Sequence, residues 1–188
     1  MATVNLLPNA DVSNDPAWTL STGSDIWALL DDDATEEPNN DTNQITCTAA
    51  GFPPKSCIIQ FTAFDDTNVD SIDSVQAVIK AGVYARSQTY QIGMYIGNNG
   101  VGAAAWAEEL TGTQNSFRDW RTHTFTARTT STLFGVPWET EDVDNITMRI
   151  TADALSGDTL RVSYAYFVVT YTATAVAADN ATFFGANF

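Results

Sequence analysis

Basic side chains are scarce in this sequence. Eight Lys and Arg stand against 23 Asp and Glu, for a formal net charge of −15. Proteins that grip nucleic acid neutralise phosphates with a basic stripe, and docking on an anionic membrane asks for the same charge. The basic residues here are scattered apart from a loose group at 118–128, so the expectation is no nucleic-acid partner and no membrane. Histidine occurs once, as His123, and cysteine twice, as Cys47 and Cys57. That is too few for a structural zinc site. No G-x-S-x-G elbow accompanies His123, whose alternation with Arg121 and Phe125 reads as a strand face rather than part of a triad. The glycine loop GNNGVG at 97–102 lacks the Gly-Lys-Ser/Thr that would make it a phosphate cradle.

Long apolar runs are missing too. No stretch reaches the ~18 apolar residues of a membrane span, and the opening MATVNLLPNADV has no basic segment followed by a long apolar one. The expectation is therefore synthesis and folding in a cytoplasm, where Cys47 and Cys57 stay free thiols rather than a bridge. Long helical patterns are likewise absent, while Thr, Val, Tyr and Ile are frequent, which favours strands.

What is present is alternation. The stretch TLRVSYAYFVVTYTAT, residues 159–174, reads as the longest strand and the centre of a sheet. Leu160, Val162, Tyr164 and Tyr166 share one face, but Phe167, Val169 and Tyr171 make the opposite face apolar from Tyr166 onward. Read with an unbroken period of two, such a strand needs a second cover. Residues 44–49 and 57–64 are expected to pair as a hairpin around AAGFPPKS, with Cys47 and Cys57 opposite each other. A second and clearer hairpin is expected from 74–86, where Val75, Ala77, Ile79 and Ala81 alternate, with 88–97. Further strands are expected at 18–20, 26–30, 103–111, 120–127 and 146–151, with a polar loop at 65–73 and a turn or helical bend at 137–145. About eight to ten strands without a convincing helix predict an all-β antiparallel β-sandwich or jelly roll. Residues 1–174 form the sandwich and 175–188 an extended C-terminal arm.

Two patches resemble known families. The opening NLLPNADV with Trp18 is similar to the first strand of jelly-roll carbohydrate-binding modules. The segment from Ile72 to Tyr171, with PWETEDVDNITMRITA before LRVSYAYFVVTY, resembles the β-sandwich modules of structural proteins in tailed bacteriophages, in capsid decoration and in tail or fibre proteins. The second resemblance implies a virion structural protein, foremost a capsid decoration or cement protein. It would sit on the virion surface, bind the major capsid protein or other virion proteins, and associate with itself. A tail or fibre component and a carbohydrate-binding module are the alternatives. The carbohydrate-binding modules also imply a structural calcium site built on an aromatic–Glu pair, and here Asp11 stands without that pair, which counts against inheriting the site.

On these readings Phe167, Val169 and Tyr171 are the expected interface, covered by the tail residues Phe183, Phe184 and Phe188. A glycan platform, if there is one, would use Trp106, Trp120 and Trp138. The acidic segment 31–41 lacks the ligand spacing of a calcium loop and reads as solvated. Glycoside hydrolysis needs two carboxylates across the scissile bond. The available Glu108, Glu109, Glu139 and Glu141 do not alternate with aromatics in a confident strand, so no catalytic residue, cofactor or metal is expected.

Overall fold

The computed structural model describes residues 1–31, 43–48, 55–83, 88–96, 104–112, 120–131, 135–152 and 159–174. Two antiparallel sheets pack face to face. One has the order β3 (Trp18–Leu20), β4 (Ile45–Thr48), β11 (Thr159–Ala173), β6 (Val69–Val83) and β9 (Arg121–Thr124), with β1 (Ala2–Leu6) paired alongside the second half of β11. The other has the order β2 (Pro8–Asn14), β5 (Lys55–Phe61), β10 (Ile146–Ala152), β7 (Gln88–Ile96) and β8 (Ala104–Gly112). The inner faces meet in one apolar core, where the rings of Phe61 on β5 and Phe167 on β11 stand edge to face with centroids 4.6 Å apart. The expected all-β sandwich is what forms, with β11 at the centre of its sheet and β8 at the edge of the other.

The two expected hairpins do not form. β4 pairs with β3 and β11, while β5 pairs with β2 and β10 in the opposite sheet. Likewise β6 pairs with β11 and β9, and β7 with β10 and β8. Alternation fixes which face of a strand is buried, but two inward apolar faces can be stacked across a core as readily as shared in one sheet. Here consecutive strands cross from one sheet to the other. Cys47 and Cys57 are consequently on different sheets, both buried and both free thiols. Burial pushes the Cys47 thiol up to about 11 and Cys57 further, with Asp15 and Asp11 respectively adding to it. At neutral pH both stay protonated and unreactive.

The central strand corrects the reading of its two faces. Val162 lies opposite Ala81, and Tyr164 lies opposite Lys80, so Ser163 is an extra residue on β11 with no counterpart on β6. This β-bulge inverts the alternation. Leu160 and Val162 point inward before it; Ala165, Phe167 and Val169 point inward after it, all at 1% exposure or less. The apparent second apolar face is therefore the same core face read across a phase change. Phe167 and Val169, expected at an interface, are core residues.

Bulges also account for the start of β6. The register skips Asp73 between Thr170/Ser74 and Tyr171/Ile72, and skips Asp70 between Thr172/Ser71 and Ala173/Val69. Val69, Ile72 and Val75 thus reach the core at three-residue spacing, and the segment 69–73 expected as a loop belongs to a strand. The Asp73 carboxylate accepts hydrogen bonds from Thr172 Oγ1 at 2.9 Å and Ser71 Oγ at 3.2 Å, which ties this bulge to β11.

Residues expected as a strand at 26–30 form a short helix, α1 (Trp27–Leu30). The buried side chains Ile26, Leu29 and Leu30 recur at i, i+3 and i+4, the spacing of a helix face. The two carboxylate oxygens of Asp11 accept the backbone N–H groups of Ile26 and Trp27, each at 2.8 Å, satisfying donors a helix leaves open at its start. Asp11, the one remnant of the calcium phrase in the opening, thus holds a helix. Asp11→Ala should lower stability by about 0.5–2 kcal/mol. Thermal unfolding should show the same loss in EDTA as in excess calcium; a loss confined to the calcium condition would return Asp11 to a metal role.

Candidate functional site

Most of the residues proposed from sequence are not assembled into a site. Trp138 is 5% exposed, its indole N–H donating to the Arg128 carbonyl at 2.8 Å. It pins the 128–138 excursion against β6, through bridges from Val75 to Arg128 and Ile72 to Trp138, and offers no ring to a ligand. Its alternation with polar neighbours could not reveal this, because the partner carbonyl is ten residues away. Trp106 takes part in β8 opposite Met94, and its side chain lies outside the described residues. Phe183, Phe184 and Phe188 lie outside them as well, as does the acidic segment beyond Asp31. Glu139 caps α2 (Thr140–Asp144), where its side chain and that of Asp142 satisfy each other's backbone N–H groups reciprocally. That is the turn or bend expected at 137–145. Among the described residues no three His, Cys, Asp or Glu are grouped to hold a metal ion.

Trp120 lies on the outer face of the first sheet. The Arg161 guanidinium sits 4.7 Å from its ring centroid, and nearby Lys80 Nζ lies 5.7 Å from the ring of Tyr164. Arg161 and Lys80 are only 5% and 4% exposed. The Tyr164 hydroxyl shares a 2.6 Å hydrogen bond with Thr122 Oγ1, and the Tyr166 ring is 5.9 Å from that of Tyr164. Burial, then the neighbouring Tyr164, raises the Tyr166 phenol above its ordinary value. These rings are largely occupied by their own cations and hydroxyls, an arrangement that stiffens the sheet more than it receives a ligand.

Tyr171 is placed differently. Beyond the Ser163 bulge β11 carries Phe167, Val169 and Tyr171 on one face, and β1 runs antiparallel beside it with Leu6 opposite Phe167, Val4 opposite Val169 and Ala2 opposite Tyr171. The chain leaves β1 at Leu7, whose carbonyl accepts the Thr62 N–H at 2.8 Å and whose own N–H donates to Thr62 Oγ1 at 3.2 Å. This exchange draws the segment after β5 alongside the opening of the chain. Between them is a pocket of about 240 Å³, open to solvent and lined by Val4, Asn5, Leu6, Thr62, Ala63, Phe64, Asp65, Asp66 and Tyr171.

The pocket has two chemically distinct walls. One is aromatic: Phe64 and Tyr171 meet edge to face, centroids 5.2 Å apart and planes at 81°. Phe64 is fixed from behind, since its N–H donates to Asp144 Oδ1 at 2.8 Å. The other wall is polar, with Thr62 and the acidic residues Asp65 and Asp66. Asp66 accepts the Tyr171 hydroxyl and the Asn68 N–H, the latter at 2.9 Å, and these bonds hold its carboxyl below the ordinary aspartate value. The same bond raises the Tyr171 phenol. Asp66 therefore remains an acceptor through mildly acidic pH, which suits binding; a general acid needs the opposite shift.

Of these residues the sequence reading singled out Tyr171 alone. Asp65 and Asp66 read as part of a polar loop and Asn5 as part of an apolar start, because the pocket depends on pairings 55 and more residues apart. The only local signal is FTAFDD, an aromatic directly before paired carboxylates.

No family model matches the sequence, and no curated protein matches it. Among solved structures the chain is similar to the CBM36-1 domain of a multidomain xylanase from the hindgut metagenome of Trinervitermes trinervoides, with 9% identity and a TM-score of 0.40 over 92% of this chain and 100% of that one. It is also similar to a structure described as CBM4, with 13% identity and a TM-score of 0.36 over 65% of this chain and 76% of that one. Similarity this slight says nothing of a ligand.

Proposed function

We propose that this chain is a non-catalytic carbohydrate-binding module that takes a sugar unit in the pocket between β1, the segment 62–66 and Tyr171. The observation that carries the proposal is the pairing of walls. A pyranose presents a C–H face and a rim of hydroxyls, and the pocket offers the Tyr171 ring, backed by the buried Phe64, for the first and carboxylate and hydroxyl groups for the second. Its volume of about 240 Å³ falls below the roughly 300–1,000 Å³ of clefts that enclose drug-sized ligands. It suits one sugar ring or chain end rather than an enclosed oligomer.

Affinity electrophoresis through gels containing soluble polysaccharides tests this reading. At least one neutral or amino-bearing polysaccharide should retard the protein. Asp66→Ala should weaken that retardation by about tenfold or more, the 1.5–3 kcal/mol typical of a hydrogen bond to a charged group. Tyr171→Phe, which keeps the ring, should weaken it less than Tyr171→Ala. A panel with no retardation at all contradicts the proposal.

A second reading, a virion structural protein of the decoration or fibre kind that associates with itself and with shell proteins, is favoured by the net charge of −15 and the three phenylalanines at 183–188. The second apolar face that first suggested it has no counterpart once the Ser163 bulge is counted. Deleting residues 179–188 tests it: loss of self-association or particle binding at an unchanged melting temperature supports this reading, and no change in either opposes it.

A further inference from the structure

Resting on the sugar-site reading, we infer that the pocket prefers sugars carrying a free, protonated amine, as in de-N-acetylated hexosamine oligomers, over their acetylated forms, and rejects uronic acids. The lining decides the sign. Two acidic residues, Asp65 and Asp66, line the pocket, and among the described residues no Lys, Arg or His lines it. Lys55, near the far end of β5, is paired with Asp15 at 3.4 Å. Asp144 behind Phe64 and Asp73 bonded to Thr172 add further acidic groups to the frame of the pocket.

The geometry separates the roles of the two carboxylates. Asp66 is held in place by Tyr171 and the Asn68 N–H, which fixes one negative charge beside the aromatic wall. Asp65 is exposed at the rim and is the carboxylate an entering ammonium would meet. Aromatic faces attract a cation as well as a C–H face, so the Tyr171 ring, set edge to face on the buried Phe64, reinforces the selection. A uronic carboxylate would meet two like charges without a compensating donor of positive charge, and juxtaposed like charges are a recognised means of excluding a ligand.

Isothermal titration with three soluble oligomers of matched length tests the inference: a glucosamine oligomer, its N-acetylated form and oligogalacturonate. At a pH where the amine is protonated, the glucosamine oligomer should bind at least tenfold tighter than the acetylated one, and oligogalacturonate should not bind. The preference should fade as pH rises through the amine's own titration. It should also shrink between low salt and 1 M salt, where the screening length falls to about 3 Å. The double substitution Asp65→Asn with Asp66→Asn should remove the preference, the two hexosamine oligomers then binding equally whatever affinity both lose. Equal binding of the two hexosamine oligomers by the unaltered protein overturns the inference and leaves the module reading standing. A preference that survives the double substitution also overturns it, since the net charge of the whole chain would then be its source. Binding of none of the three, with no retardation on the wider polysaccharide panel, overturns both.

Discussion

Ala165→Asp should abolish the cooperative fold. Ser163 is the extra member of the bulge on β11, so Ala165 falls on the inner face with Val162 and Phe167 and is fully buried. With an unbroken period of two it would share the outer face with Arg161 and Ser163. A carboxylate placed in the apolar core gives up its hydration, at a cost of several kcal/mol, and its added volume costs about 1–3 kcal/mol more. Against a typical stability of about 5–15 kcal/mol, the sum removes most or all of the margin. Differential scanning calorimetry of the variant should show no cooperative transition. Ser163→Ala is the control: its Oγ is buried without a hydrogen-bond partner among the described residues, so losing it should cost less than about 1 kcal/mol or stabilise slightly. An Ala165→Asp variant that melts like the parent would show that β11 has no phase change.

The second large effect is expected at Phe167. Its ring is fully buried against Phe61 of the other sheet, and Leu6 lies opposite it on β1. Phe167→Ala should cost about 3–5 kcal/mol, a drop in melting temperature of roughly 6–20 °C for a chain of this size. Val168→Ala, on the half-buried outer face of the same strand, should cost far less. Were Phe167 an interface residue, its truncation would spare the monomer's melting temperature and weaken association. Thermal denaturation at two protein concentrations separates these outcomes.

Comparing these residues with their sequence shows where pattern reading succeeds. The expected strands at 74–86 and 146–151 form at Val69–Val83 and Ile146–Ala152, and Val75, Ala77, Ile79 and Ala81 point inward as their alternation predicts, because a period of two is a local property of extended backbone. A bulge is local too, but it hides in an apolar run. Residues 164–169 are Tyr-Ala-Tyr-Phe-Val-Val, where either phase looks acceptable and only the partner strand decides. Ile26–Leu30 failed for a related reason: five residues are too few to separate a short helix from a strand. Strand neighbours were the least legible feature, and the pocket inherits that opacity. Asn5, Thr62, Asp66 and Tyr171 come together only through the β1–β11 register and the Leu7–Thr62 exchange. Tyr171 was singled out for its apolar ring; its hydrogen bond to Asp66 gives it a different use.

A ¹H–¹⁵N NMR titration of the full chain with a soluble oligosaccharide that retards it tests the central claim most directly. Saturable shifts should concentrate at the backbone amides of Asn5, Leu6, Thr62 to Asp66 and Tyr171, with little change at Thr122, Arg161 or Tyr164 on the outer face of the first sheet. Shifts centred on that outer face instead, or no saturable shift around the pocket, would contradict the assignment of the sugar site to this end of the sandwich.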